Sequence, residues 1–334
     1  MTGELLDFDC AAEVEAVGGF IKSSLRDPLK RRGVVIGLSG GVDSSTCAAL
    51  AARTLGPSRL FGILMPDKDS DSRTLEISRG VAEAFDIPYE YEDITPVLQS
   101  LGCYRRQGDA VRRVLPEFSD GWKFKIVLPP VSEGYRVFSL VALSPDGEEF
   151  RRRLPHDAYL QIVAATNYKQ RVRKMIEYYH ADRLNYAVIG TPNLLEYDQG
   201  FFVKNGDGAA DIKPIAHLYK TQVYRLAEFL GVPKDVVAQK PTTDTYSLPQ
   251  GQDEFFFSLS YDKMDLCLYA HDHGMTAEEA ADAAGIETEA AAAVYRDIEQ
   301  KRSTSRYLQS PPLIYPSVSD AATPRKKSRN SEAK

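Results

Sequence analysis

Residues 33–38 read GVVIGL, a short and almost wholly apolar run. A strand with no polar side must be covered on both faces. It is followed at once by SGGVDSS (39–45) and by TCAALAARTL, a helical stretch that stops at Gly56-Pro57, the usual punctuation of a helix end. RLFGILM (59–65) repeats the buried-strand pattern, residues 72–86 read as a second helix, and PYEYEDI (88–94) as a third strand. Ahead of them Val14, Val17, Phe20, Ile21 and Leu25 fall on one face of a helix expected over 13–30. Strands alternating with helices predict an α/β fold: a doubly wound, mostly parallel sheet with helices on both faces.

Residues 100–156 break this rhythm. KFKIVLPP and YRVFSLVALSPDGEEFRRRL read as extended segments, and Ser144-Pro145-Asp146-Gly147 has good turn chemistry. A small antiparallel insertion is expected there. The α/β pattern resumes with a helix at about 167–182, a strand at YAVIG (186–190) and a helix at about 219–230. A helical C-terminal region follows, in which Thr276 and Glu279 have capping-box spacing. From about 317 large apolar residues nearly vanish, as in a disordered tail. The expected organisation is an N-terminal helix (1–32), one α/β domain (33–316) carrying the insertion, and the tail (317–334).

With 334 residues, 43% of them hydrophobic and 26% charged, the chain has enough apolar material for a sizeable core. No apolar run approaches the roughly 18 residues of a membrane helix. The start, MTGELLDFDC, lacks the basic-then-apolar order of a signal peptide, so a cytoplasmic protein is expected. A net charge of -6 gives no broad footprint for nucleic acid. Cys10, Cys47, Cys103 and Cys267 stand far apart, which fits reduced thiols rather than a disulfide framework or zinc site.

The chemistry centres on SGGVDSS. At the carboxyl end of a parallel strand and the start of a helix, this loop lies where doubly wound sheets bind ligands. Gly40 and Gly41 let an anion approach the backbone closely, and the helix N-terminus offers free N–H groups and a positive dipole end. Ser39, Ser44 and Ser45 add hydroxyls. Asp43 repels phosphate by itself, so its natural partner is a magnesium ion bridging it to phosphate oxygens. No GK[ST] follows, which excludes the common phosphate-binding loop. The alternative is an ordinary Gly-Gly strand–helix turn.

The loop resembles that of the ATP pyrophosphatases, which cleave ATP between the α and β phosphates. GTPNLLEYDQGFFVKNGDGAADIKPIAHLYKTQVYRLAEFLGVP (190–233), NYKQRVRKM (167–175) and QKPTTDT (239–245) resemble the signatures of NAD synthetases, in the family's order. The likeness covers about 33–98 and 160–310. It implies a Rossmann-like ATP pyrophosphatase fold and ATP-driven amidation of deamido-NAD by ammonia through an acyl-adenylate, with release of pyrophosphate and AMP. It also implies Mg2+, ATP as co-substrate and a homodimer. About 30 residues precede the first strand, too few for an amidotransferase domain, so ammonia is expected from solution or from a separate amidotransferase.

By motif match, Gly37, Leu38, Ser39, Gly40, Gly41, Val42, Asp43 and Ser44 hold ATP together with Thr191, Lys220 and Thr242. Asp43 and Glu196 hold the metal, and Asp43, Lys220 and Asp207 are the catalytic set. Arg171, Lys204, Asp211, Gln300 and Lys301 match substrate-binding positions. Each has a plainer alternative: Arg171 and Arg173 on a solvated helix face, Glu196 on the surface, Asp207 and Asp211 as turn formers. Asp67, Asp69 and Asp71 lack the Gly and Glu of a calcium loop and read as a solvated loop. His271 and His273 read as polar surface, and Phe255-Phe256-Phe257 as packing. Gln300 stands where the family has His, Val203 and Asn205 depart from its usual residues, and Pro192 replaces a Gly or Asp. These departures fall on the substrate side and keep open a rival, an amide-forming ligase for another carboxylate. A non-catalytic nucleotide-binding regulator is a third reading, disfavoured because Asp43 and Glu196 are both present.

Overall fold

The computed structural model describes residues 5–128, 138–239, 245–251, 256–257 and 259–315. In chain order the strands are β1 (Val34–Gly37), β2 (Leu60–Leu64), β3 (Tyr89–Tyr91), β4 (Lys123–Val127), β5 (Ser139–Leu143), β6 (Glu149–Arg153) and β7 (Ala187–Val188). β1 is central in a parallel sheet of order β3-β2-β1-β7, with Val34 opposite both Leu60 and Ala187. Alternate side chains of β1 feed two different cores, as the period of two requires. Val34 and Ile36 pack against helices α1 (Cys10–Arg26) and α2 (Val42–Leu55). Val35 turns to the other face, beside Leu98 and Val172. The expected doubly wound α/β architecture is present, with helices on both faces.

Two expectations need correcting. The stretch after β3 opens with helices, α4 (Thr95–Ser100) and α5 (Cys103–Arg112), rather than extended chain. Ala110 and Val111 of α5 face Phe124 and Ile126 of β4, so the insertion needs this helix to cover its sheet. The sheet itself is antiparallel in order β4-β5-β6, and its Ser144–Gly147 turn closes through the Gly147 N–H to the Ser144 carbonyl at 3.0 Å. Helix α6 (His156–Leu184) starts well before the expected position 167. Its first turns carry Ala158 and Ile162 into the insertion core, and Val172 and Ala181 later enter the core under the parallel sheet. One helix therefore ties the two together.

A further correction concerns Asp67 and Asp69. Asp67 is only 5% exposed. The Lys169 ammonium lies 3.1 Å from Asp67 and 2.8 Å from Asp69, and Arg173 donates to Asp67 at 3.2 Å. The loop after β2 is thus pinned onto α6 instead of being solvated. Buried ions persist only when paired in this way.

Helices α7 (Leu194–Gln199), α8 (Lys220–Leu230) and α9 (Lys234–Val237) follow β7. The C-terminal region is helical as expected, in α10 (Tyr261–Asp272), α11 (Ala277–Ala284) and α12 (Thr288–Gln309). Thr276 and Glu279 form the reciprocal capping box, at 3.2 and 2.7 Å. All four cysteines are free thiols. No helix among the described residues is long and apolar enough to cross a membrane. The tail expected at 317–334 lies outside the described residues.

Candidate active site

A cleft of about 870 Å³ opens at the carboxyl ends of β1 and β2. Its floor is the β1–α2 loop. Gly40 has φ +74, and a side chain there would meet the Thr74 carbonyl at 3.0 Å and Ser78 Oγ at 3.1 Å, so the tight turn requires glycine. Ser39 Oγ accepts from the Gly41 N–H at 3.3 Å and lies 3.0 Å from Ser44 Oγ. Gly41 caps α2 without a side chain. The first amide groups of α2 therefore face the cleft with the positive end of the helix dipole behind them.

Above this loop, three elements bring together groups scattered over the chain. Asp43 lies in the first turn of α2. Its Oδ2 pairs with the Lys220 ammonium from the start of α8, and its Oδ1 accepts from Asn193 Nδ2 at 3.1 Å. Asn193 also caps α7: its Oδ1 accepts from the Glu196 N–H at 3.1 Å, while its own N–H donates to Glu196 Oε2 at 3.3 Å. One buried asparagine thus bonds to both acidic residues. Burial, then the nearby charge of Asp43, pushes the Glu196 carboxyl up to about 8. Lys220 is 1% exposed. Burial disfavours its charge, but Asp43 and Glu196 outweigh it and hold the ammonium above its ordinary range. Asp207 is raised by burial, and its carboxylate accepts from the Val203 N–H at 2.8 Å.

The opposite wall is basic and comes largely from α6. Arg171 and Arg173 both line the cleft, as do Lys174 and Glu177, a buried pair 2.6 Å apart. Gly37 lies so close to Glu177 that a Cβ would stand 2.9 Å from its Oε1. Lys204 reaches the carbonyl of Tyr307 at 2.6 Å, and Arg171 Nε donates to the Lys204 carbonyl at 3.3 Å. Gln300 and Lys301 line the same side, with the Lys301 ammonium 2.6 Å from the Phe256 carbonyl and 2.8 Å from Asp297. The insertion adds Leu128 and Phe138, the latter stacked on Tyr159 with centroids 4.2 Å apart.

Of the residues expected from the sequence, Gly37, Leu38, Ser39, Gly41, Val42, Asp43, Ser44, Thr191, Glu196, Asp207 and Lys220 converge on this cleft. Gly40 shapes its loop from behind. Asp211 does not reach the cleft: its carboxylate accepts the Val188 N–H at 2.7 Å and anchors the edge of β7. A backbone amide at a short strand claims it more readily than a ligand. Thr242 lies outside the described residues, as does Phe255. Phe257 is core, as expected, while Phe256 lines the cleft under Lys301. His273 bonds the Tyr269 carbonyl at 2.8 Å and His271 faces Glu299 at 3.0 Å, so the two imidazoles serve separate contacts. Sequence reasoning missed Asn193, although its spacing to Glu196 is that of a helix cap. It also missed Glu177, for which no motif gave a signal, and Lys174, although that residue lies within NYKQRVRKM.

The fold and the loop together define an α/β nucleotide-binding protein of the ATP pyrophosphatase type. A profile described as NAD synthase matches residues 13–112 and 139–312. The chain is 54% identical over 94% of its length to an NH(3)-dependent NAD(+) synthetase of Rhizobium rhizogenes, covering 95% of that protein. It is 51% identical over 94% of its length to the same-named protein of Rhizobium meliloti, again over 95% of that protein. In fold it is similar to the NMN synthetase structure from Francisella tularensis, at a TM-score of 0.62 and 22% identity, covering 92% of this chain and 99% of that one. The chain belongs to the NAD synthase family.

Proposed function

We propose that this protein forms NAD from deamido-NAD and ammonia, using ATP and releasing AMP and pyrophosphate. The observation that carries the reading is the convergence of Asp43, Glu196 and Lys220 at the open N-terminus of α2. It is supported by relatives at 51–54% identity whose names specify NH(3)-dependent NAD(+) synthetases. The chemistry must bring a carboxylate oxygen onto the α-phosphorus of ATP, break the bond to pyrophosphate, and then let ammonia displace AMP from the acyl carbon. Both partners in the first step are anions, so the site must neutralise and orient them.

This chain's residues divide that work. The amide groups of α2 and the serine hydroxyls of the loop grip the departing pyrophosphate. Lys220 supplies a buried, firmly protonated ammonium to the phosphates. The Asp43–Glu196 pair is a donor set of the kind Mg2+ takes, and burial together with the charge of Asp43 raises the Glu196 carboxyl, a cost that a bound cation would relieve. A magnesium ion held there would balance phosphate charge in the transition state. Arg171, Lys204 and Lys301 form the opposite, cationic rim suited to a dinucleotide's own phosphates. Asp207 sits between the two sides. For the homodimer, the supporting feature is the outer face of α6, where Met175 and Tyr179, one helical turn apart, are 60% and 63% exposed.

The test is one incubation of protein, ATP, Mg2+, ammonium and deamido-NAD, with chromatography for NAD and AMP. Equimolar NAD and AMP are expected. ATP binding without NAD would instead favour the rival ligase for another carboxylate, which the departures at Gln300, Val203 and Asn205 motivate. Light scattering of the same preparation reads the oligomer, and Tyr179→Glu is expected to shift a dimer toward monomer.

A further inference from the structure

Lys220 is the first residue of α8, and a phosphate-binding ammonium is useful only if that helix turn is held still. The support comes from α10, far along the chain. Asp265 lies fully buried on α10 and is not among the residues that line the cleft. Its Oδ2 accepts the N–H of Thr221, the residue after Lys220, at 2.7 Å. Its Oδ1 and the Thr221 hydroxyl make no hydrogen bond of good geometry among the described residues. From the same helix, the Tyr261 ring lies 5.3 Å from the Lys220 ammonium, with Tyr224 at 5.9 Å on another side.

A buried acceptor on a distant helix, spent on one amide of the first turn of α8, fixes that turn against α10. The leading amides of α8 carry the positive dipole end and favour an anion there. Burial pushes the Asp265 carboxyl up to about 6, opposed by its hydrogen bonds to the first turn of α8 and by the charge of Lys220. Its Oδ2 holds the first turn of α8 through the Thr221 N–H, a contact separate from those that Asp43 makes with Lys220 and Asn193.

We propose that Asp265 is the positioning residue for Lys220: from α10 it grips the first turn of α8 and sets where the ammonium meets the phosphates of ATP. The proposal rests on the reading of Lys220 as a phosphate ligand, and not on which carboxylate is amidated. Its test is therefore ATP affinity by calorimetry in the presence of Mg2+, on full-length protein.

Asp265→Ala is expected to weaken ATP binding about tenfold, the loss of a hydrogen bond to a charged group, with the far-ultraviolet spectrum unchanged. Asp265→Asn keeps an acceptor for the Thr221 N–H and is expected to restore most of the affinity. In a Lys220→Ala background, Asp265→Ala should cost nothing further, because the residue acts through Lys220. If Asp265→Ala fails to fold, Asp265→Ser, too short to reach Thr221, takes its place. Unchanged ATP affinity in a folded Ala or Ser variant overturns the proposal. So does a loss that adds in full to that of Lys220→Ala, which would make Asp265 a general packing residue. If Lys220→Ala itself binds ATP normally, the reading of Lys220 fails, a result separate from either.

Discussion

The two walls of the cleft are built differently. On the sheet side, Asp43, Asn193, Glu196 and Lys220 are part-buried or buried and bonded to one another, so each side chain holds the next in place. On the other side Lys204 reaches for the Tyr307 carbonyl and Arg171 for the Lys204 carbonyl, while Lys301 shares its ammonium between the Phe256 carbonyl and Asp297. Neutral carbonyls on the surface are easily exchanged for a phosphate or carboxylate, whereas a buried ion pair is not. Under the proposed function this is a division of labour, with a preorganised side for the nucleotide and an adaptable side for the substrate.

The largest effect should come from breaking the preorganised side at its centre. Asp43→Ala is expected to lower AMP formation at least about a thousandfold, as for removal of a principal transition-state stabiliser. Unchanged turnover would sink the metal assignment. Next, Lys204→Ala should raise KM for deamido-NAD roughly tenfold or more while leaving KM for ATP within twofold, since it removes a charge-assisted contact to one substrate only. Equal changes in both would erase the contrast between the walls.

Asn193→Ala tests how much of the preorganisation one amide carries. It removes a helix cap together with its bond to Asp43, and about 1–2 kcal/mol of stability should be lost in denaturant melts. A loss of activity larger than the loss of stability explains would locate a positioning role in Asn193.

The pH dependence sharpens the same point. The Glu196 carboxyl titrates near 8 in the folded protein against an ordinary value of 4.5. Between these values the folded state holds the proton that the unfolded state has released, so stability falls as pH rises through that window. Metal needs the carboxylate, and its affinity should rise with pH up to about 8, by up to tenfold per unit. Titration calorimetry with Mg2+ at pH 6.5 and 8.0 reads this directly. Flat affinity would place the metal elsewhere. The smallest change is expected from Asp211→Asn, which keeps an acceptor for the Val188 N–H. KM for either substrate should stay within twofold, and a selective rise for deamido-NAD would return Asp211 to the substrate wall.

Much of this was readable before any coordinates. GVVIGL, then SGGVDSS, then an alanine-rich helix specify a buried parallel strand and an anion-binding turn, because burial pattern and glycine placement are local properties. The start of α6 was not readable, since residues 156–166 are helical only because Ala158 and Ile162 have the insertion core to pack on. The Asp67 loop was misread for a related reason. Three acids in five residues look solvated until Lys169 and Arg173, about a hundred positions away, arrive to pair with two of them, Asp67 and Asp69.

The site divides in the same manner. Residue type and motif spacing singled out Asp43, Glu196 and Lys220, and the fold brings the three to one cleft. Tertiary structure alone decided that Asn193 bonds both Asp43 and the start of α7, that Asp211 accepts from the Val188 N–H, and that Asp265 reaches the first turn of α8. Sequence determines which groups a chain owns and which local backbone presents them. Which group meets which depends on contacts between distant segments, and no local pattern encodes those.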